Sequence, residues 1–139
     1  MSIIRYCDIN PNGGTLTVTM TANNGLRAGG RFGLYTMGKE LVEDWSIATG
    51  DGGLGTYQIT TDVSKLDGYE MAWRTKVCAF LPGANEGSIG VEISQNGKLC
   101  KVFPSTVWDV TDVPTCESGK LMQKTFSLIL QKVVVEEPA

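Results

Sequence analysis

The sequence predicts an all-β protein, an antiparallel β-sandwich of jelly-roll or immunoglobulin-like type with about eight or nine strands and little helix. Several short runs alternate apolar with polar residues, which is the period of a half-buried strand. Turn-forming residues separate these runs at intervals of roughly 8–15 residues. No stretch of about 11 residues or more repeats with the period of a helix.

Four extended segments are predicted in the first half of the chain. Residues 15–22 alternate apolar side chains with threonines and are bounded by glycine and asparagine turn signals. Residues 31–37 and 41–47 are predicted to form a hairpin, and residues 57–61 resume an extended pattern. The glycine-rich segment 49–55 is predicted to be a surface loop. It matches the letters of a dinucleotide-binding motif, but an extended segment follows it where that motif needs a helix.

The longest predicted strand covers residues 69–80, where apolar and polar side chains alternate throughout. Its second face is assigned to solvent for the most part. The face assigned to the core consists of Tyr69, Met71, Trp73, Thr75, Val77 and Ala79.

Residues 88–95 and 98–103 are predicted to form a hairpin around Asn96-Gly97. This dipeptide favours a two-residue type I′ turn, because both central residues of that turn have positive φ. Such a turn sets the register of the two strands, so Gln95 is expected to face Lys98. Counting outward from the turn predicts three further pairs, Ile93 with Cys100, Glu92 with Lys101, and Val91 with Val102.

The last predicted strand covers residues 125–135 and follows a polar stretch, residues 114–120, in which one short helical turn is expected. The strand ends in a β-branched run, and charged residues on both sides of the strand discourage its aggregation. This run either completes the sandwich as an outer strand or adds to a neighbour's sheet edge in an oligomer. The candidate assembly edge consists of Val133, Val134 and Val135.

Length and charge indicate the general class of the protein. The chain has 139 residues, close to the size of one domain, and residues 1–139 are predicted to form a single β-sandwich domain. The formal net charge is −3 and no cluster of Lys or Arg is present, which argues against nucleic acid as a partner. Neither a secretory signal pattern nor an apolar run that could span a membrane is present, so the compartment stays open.

The absence of histidine excludes several kinds of active site. Ser-His-Asp catalysis, Cys-His catalysis and histidine-bound metals are impossible, and no metal or other cofactor is predicted. The four cysteines lack C-x-x-C spacing, which disfavours a zinc site. They fit two disulfides in three possible connectivities, or four reduced thiols. These cysteines are Cys7, Cys78, Cys100 and Cys116.

A few side chains are candidates for binding a ligand. Aromatic residues beside predicted loops could stack on a sugar, and packing in the core is the alternative for each of them. Aspartates at positions 44, 51 and 62 could hold Ca²⁺ if folding brought them together, but isolated solvated acids are the preferred interpretation. The candidate ligand-binding residues are Trp45, Asp51, Tyr57 and Trp108.

These observations lead to two main hypotheses of function. The first is a noncatalytic β-sandwich that acts as a structural or assembly subunit or as a protein interaction module, with other protein subunits, including copies of itself, as partners. The alternative is a module that binds carbohydrate or another small ligand through the loop aromatics. A hydrolase built on paired carboxylates ranks below both, because the sequence pairs none of its acids.

Overall fold

The computed structural model describes residues 3–133, which form two β-sheets around a common core. The predicted sandwich is therefore confirmed. The strands are β1 (Tyr6–Ile9), β2 (Leu16–Ala22), β3 (Leu26–Tyr35), β4 (Leu41–Ala48), β5 (Leu54–Gln58), β6 (Glu70–Ala79), β7 (Gly87–Gln95), β8 (Lys98–Leu99), β9 (Val102–Phe103), β10 (Val107–Val110) and β11 (Met122–Lys132). Short 3₁₀ helices occupy Gly50–Gly52, Val63–Lys65 and Cys116–Ser118.

One sheet has six strands in the order β4-β3-β6-β11-β1-β9. The other has five strands, in the order β10-β7-β2-β5 with β8 paired to β7. Strand β1 runs parallel to β11, whereas the remaining strand pairs of residues 3–133 are antiparallel. Within the same residues, no helix is long and apolar enough to cross a membrane. The open edges of the six-stranded sheet are β4 and β9.

A continuous row of aromatic rings crosses the core between the two sheets. Its members are, in spatial order, Tyr57, Trp45, Phe32, Trp73, Phe126 and Trp108. The middle four rings belong to the six-stranded sheet, are aligned by strand register and stack with centroids 5.5 Å apart. The two end rings come from β5 and β10 of the other sheet. The row therefore joins the two sheets through aromatic contacts.

Strand β6 confirms the predicted core face, because alternate residues from 71 to 79 are buried. Strand β3, in contrast, begins at Leu26, well before the predicted start. Gly29 and Gly30 interrupt the alternation of side chains that a sequence pattern needs, yet both pair in register with β6. A Cβ at position 30 would lie 2.6 Å from Met20 Cε, so any larger residue there would displace this buried side chain.

Strand β5 begins at Leu54 and ends at Gln58, so it starts inside the segment predicted to be a loop. The preceding glycines form one 3₁₀ turn, Gly50–Gly52. Gly55 explains the difference, because a Cβ at this position would lie 2.4 Å from the Ala48 carbonyl oxygen. The glycine lets β5 approach the end of β4 more closely than any side chain would allow.

The hairpin around Asn96-Gly97 has the predicted turn but only part of the predicted register. Both turn residues have positive φ, 55° and 76°, and Gln95 pairs with Lys98. The Cys100 N–H donates to the Ile93 carbonyl at 2.7 Å, as the predicted pair requires. Beyond this point the chain crosses to the other sheet, where β9 pairs with β1.

Two predicted cross-strand pairs are therefore wrong. Strand β8 pairs with β7 only as far as Leu99. The Lys101 carbonyl accepts from the Asp8 N–H of β1, and Val102 pairs with Cys7 of the same strand. The turn sets the register only of the residues next to it. Beyond Cys100 the crossover to the other sheet decides which residues pair. The contradicted pairs are Glu92 with Lys101 and Val91 with Val102.

Strand β11 begins at Met122, before the predicted start, and the expected helical turn is the 3₁₀ helix Cys116–Ser118. The strand lies inside the six-stranded sheet, between β6 and β1. The Val133 N–H donates to the Ile9 carbonyl at 2.9 Å and so continues the pairing with β1. Val134 and Val135 lie outside the described residues, and the assembly role of this segment stays a prediction.

The cysteines adopt two different states. Cys78, at the end of β6, forms a disulfide with Cys116. Cys7 and Cys100 are free thiols. Of the alternatives that the sequence left open, the structure therefore combines one disulfide with one pair of reduced cysteines.

Candidate binding site

The aromatic residues predicted to bind a ligand lie at the two ends of the aromatic row. Trp45 is buried, with its ring between Phe32 and Tyr57 at centroid distances of 5.5 and 4.6 Å. Trp108 lies at the opposite end, where it contacts Phe126 edge-on. The structure thus brings Trp45 and Tyr57 together but keeps Trp108 apart from them. Their contacts are those of core packing, the alternative considered from the sequence.

Asp51 is exposed on the 3₁₀ helix Gly50–Gly52 and forms an ion pair with Arg27. The other aspartates considered as calcium ligands have separate partners. Asp44 pairs with Arg31 at 3.3 Å, and Asp62 caps the turn at Ser64. Over residues 3–133, no group of three or more His, Cys, Asp or Glu side chains is placed to hold a metal ion.

Glu43 connects strand β4 to the chain that follows β5. Its carboxylate accepts hydrogen bonds from the backbone N–H groups of Thr60 and Thr61, both at 2.8 Å. The Thr61 hydroxyl donates at 2.6 Å and the Tyr57 hydroxyl at 2.5 Å. Each carboxylate oxygen therefore accepts two hydrogen bonds, which closes the space between the two sheets at this edge.

These contacts shift the pKa values of both partners. Burial raises the pKa of Glu43, but its four hydrogen bonds outweigh that effect and lower the pKa to about 2. The hydrogen bond to Glu43, with burial, raises the pKa of Tyr57 to about 12. A displaced pKa is often a sign of a functional group. Here the shifts of Glu43 and Tyr57 come from contacts within the protein. The Glu43 carboxylate already accepts four hydrogen bonds, so it has no position left to accept another.

We expect Glu43→Gln to lower the free energy of unfolding by about 1–3 kcal/mol at pH 7, because its donors lose a charged acceptor. The folded-state pKa lies below the ordinary value, so this stabilisation exists above about pH 4.5 and is lost as pH falls towards 2. Urea denaturation of both proteins across this range measures the difference. The difference in free energy of unfolding between wild type and Glu43→Gln should become smaller as the pH falls. The control Glu92→Gln alters an exposed residue and should unfold with the same free energy as the wild type at pH 7.

The outer face of the six-stranded sheet carries an open trough of about 710 Å³. On its walls Arg31 of β3 stands directly opposite Arg74 of β6, and Lys76 follows on β6 opposite Gly29. We call these three cations and the glycine the basic trough. Two arginines in facing register repel each other. Arg31 pairs with Asp44, but neither Arg74 nor Lys76 forms an ion pair with any residue from 3 to 133.

Gly29 lies at the floor of the trough, although the space around it would admit a side chain. A Cβ at Gly29 would have its nearest neighbour at 3.6 Å, the Ile47 carbonyl oxygen, which is an ordinary contact. The φ of Gly29 does not lie in the left-handed region. A Cβ at this position therefore fits without a clash, and a side chain here would take up part of the trough.

A row of outward side chains borders the basic trough along the sheet. Strand register places it on all six strands, and its members are Leu41, Tyr35, Glu70, Ile129, Tyr6 and Phe103. We call this the outer row. Phe103 is 71% exposed and Leu41 is 52% exposed. The charge of Glu70 is paired with Lys39 at 3.5 Å. The remainder of the row is apolar or aromatic.

The alternation along β6 already placed Arg74 and Lys76 on the solvent-facing side of the strand. It did not single them out as a site, because both are ordinary surface cations in the sequence. The pairing of β6 with β3, which puts Arg31 opposite Arg74, is a contact between distant parts of the chain. No family model, no curated protein and no solved structure matches this chain.

Proposed function

We propose that the protein is a noncatalytic interaction module that binds an acidic and partly apolar segment of another protein. The binding surface is the outer face of the six-stranded sheet. The observation that carries the proposal is the facing pair Arg31 and Arg74, of which Arg74 has no carboxylate partner among the described residues. Like charges in facing register cost stability. A bound carboxylate would remove this cost and would accept hydrogen bonds from the guanidinium groups.

The outer row supports a protein partner over a carbohydrate. Tyr35 and Arg31 are four residues apart on one strand, about 13 Å at the rise of a β-strand. A protein segment can present a carboxylate and an apolar side chain at this spacing. Aromatic residues and arginine are enriched in protein interfaces. Of the aromatics on which the carbohydrate alternative rested, Trp45 and Tyr57 are stacked in the aromatic row and Trp108 contacts Phe126 edge-on.

The position of the carboxylates supports a noncatalytic role. Paired carboxylates were the chemistry that remained in a chain without histidine. Glu43, with the most displaced pKa among them, is occupied by hydrogen bonds to its own chain. The basic trough itself is built from cations and glycine, which suit binding rather than proton transfer.

Arg74→Glu tests the proposal because it has opposite expected effects on binding and on stability. The new carboxylate would face Arg31, so the free energy of unfolding should stay the same or rise by about 0.2–1 kcal/mol. Peptides selected against the wild-type protein from a displayed random library should combine Asp or Glu with apolar residues. We expect their affinity for the variant to fall about tenfold or more. Fluorescence anisotropy measures the affinity, and urea denaturation measures the stability.

Two further variants separate the effects of shape and charge seen with Arg74→Glu. Gly29→Val places a side chain in the basic trough without altering its charge and should also weaken peptide binding. Lys98→Glu reverses a charge on the five-stranded sheet and should leave binding unchanged. Equal affinity of the selected peptides for wild type and Arg74→Glu would refute the proposal. Selection of neutral peptides would do the same. Trough-dependent binding of heparin oligosaccharides without any peptide binding would instead support an acidic glycan.

A further inference from the structure

The two free cysteines meet where the chain crosses from one sheet to the other. Cys7 lies on β1 of the six-stranded sheet, and Cys100 directly follows β8 of the five-stranded sheet. The Asp8 N–H donates to the Lys101 carbonyl at 2.9 Å, which holds the crossover against β1. The Cys100 N–H is held by Ile93 on the other side. Cys7 also pairs with Val102, two residues beyond Cys100, so between these two anchors the thiols lie close enough for each to shift the pKa of the other.

The two thiols differ in their access to solvent. Cys7 is 0% exposed and belongs to the hydrophobic core. Cys100 is only half-buried and lines an open cleft of about 720 Å³. The same cleft is lined by Lys98, Lys101 and Asp8, so its net positive charge would favour a negatively charged small molecule. An external reagent can therefore reach Cys100 but not Cys7.

This proximity also makes the thiols unequal in acidity. Contact with Cys7 lowers the pKa of Cys100. The same contact, together with burial, raises the pKa of Cys7. The thiolate is the nucleophile in disulfide exchange. Both differences, in access and in acidity, point to Cys100 as the first group to react.

We propose that Cys7 and Cys100 form a second disulfide by exchange with a small anionic disulfide of the glutathione type that enters the cleft at Cys100. The Cys100 thiolate attacks one sulfur, forms a mixed disulfide and releases one small thiolate, which takes up a proton. Cys7 then attacks the Cys100 sulfur, and its proton passes to the departing sulfur, which leaves as the second small thiol. The two protein thiols are oxidised by two electrons, and one external disulfide is reduced to two thiols.

The new bond would join β1 to the crossover and so link the two sheets covalently. It would close a loop from residue 7 to residue 100, and long closed loops restrict the unfolded chain most. The cleft lies outside the basic trough. The proposal therefore stands independently of the function proposed above.

Treatment of the full-length protein with glutathione disulfide, followed by alkylation and mass spectrometry, tests this proposal. The wild type should lose two hydrogens, carry no glutathione and yield a peptide pair that links Cys7 to Cys100. Cys7→Ala should stop at a glutathione adduct on Cys100, and Cys100→Ala should not react. The urea midpoint of the wild type should rise on oxidation. Circular dichroism confirms that each variant is folded.

Three results would overturn the proposal. One is a lasting glutathione adduct on the wild-type protein. Another is an unreacted wild type whose Cys78–Cys116 disulfide is intact, since the thiols would then be close but unreactive. The third is faster reaction of Cys7 than of Cys100, which would reverse the proposed order. None of these measurements depends on a variant that fails to fold, because each is made on the wild type.

Discussion

Replacing Trp73 by alanine should lower the free energy of unfolding by about 3–5 kcal/mol. Trp73 is 2% exposed and stands in the middle of the aromatic row, with Phe32 and Phe126 stacked on either side at 5.5 Å. Its removal would leave a cavity and break the row in two. Domains are stable by only about 5–15 kcal/mol, so we expect a large drop in the urea midpoint.

Two variants separate this effect from a general response to mutation. Met37→Ala removes a side chain that is 76% exposed and should change stability little. Trp73→Phe keeps a stacked ring and removes an indole N–H that has no hydrogen-bond partner in the described part of the chain. It should therefore cost much less than alanine. A loss below about 1 kcal/mol for Trp73→Ala would contradict the role assigned to the row.

Loss of the Cys78–Cys116 disulfide is expected to have the second large effect, about 4 kcal/mol for the sequence separation of 38 residues. The bond ties the end of β6 to the 3₁₀ helix Cys116–Ser118. The Ala79 N–H also donates to the Pro114 carbonyl at 2.8 Å in the same region. The double variant with alanine at both Cys78 and Cys116 is the direct test, because it breaks the disulfide without creating a new free thiol. Urea denaturation measures the change.

The reduced wild-type protein provides the control for this prediction. A reductant should lower the urea midpoint of the wild type towards that of the double variant and should leave the double variant unchanged. Equal midpoints of oxidised wild type and double variant would show that the closed loop contributes nothing to stability. Cys7→Ala serves as a reference for any effect of the free thiols.

The parts of the fold that could be predicted from sequence are those governed by neighbouring residues. Alternation on β2 and β6 indicated correctly which side chains face the core, because successive side chains of a strand point to opposite faces. Asn96 and Gly97 indicated the correct turn, because their positive φ values suit these residue types. Dependence on neighbouring residues also explains why β3 and β5 begin earlier than predicted. Both begin near glycines, which have no side chain and so interrupt the alternation of apolar and polar residues.

The candidate site depends on which strands become neighbours, and no local pattern contains that information. Arg31 and Arg74 are distant in the sequence, and they face each other only because β3 pairs with β6. Tyr57 and Trp108 lie beside predicted loops in the sequence, and the packing of two sheets turns them into the ends of one row. Strand pairing and sheet packing arise from contacts between distant residues, each favourable only in the presence of the others. Sequence alternation therefore specifies the faces of the strands, and the cooperative core specifies which faces meet.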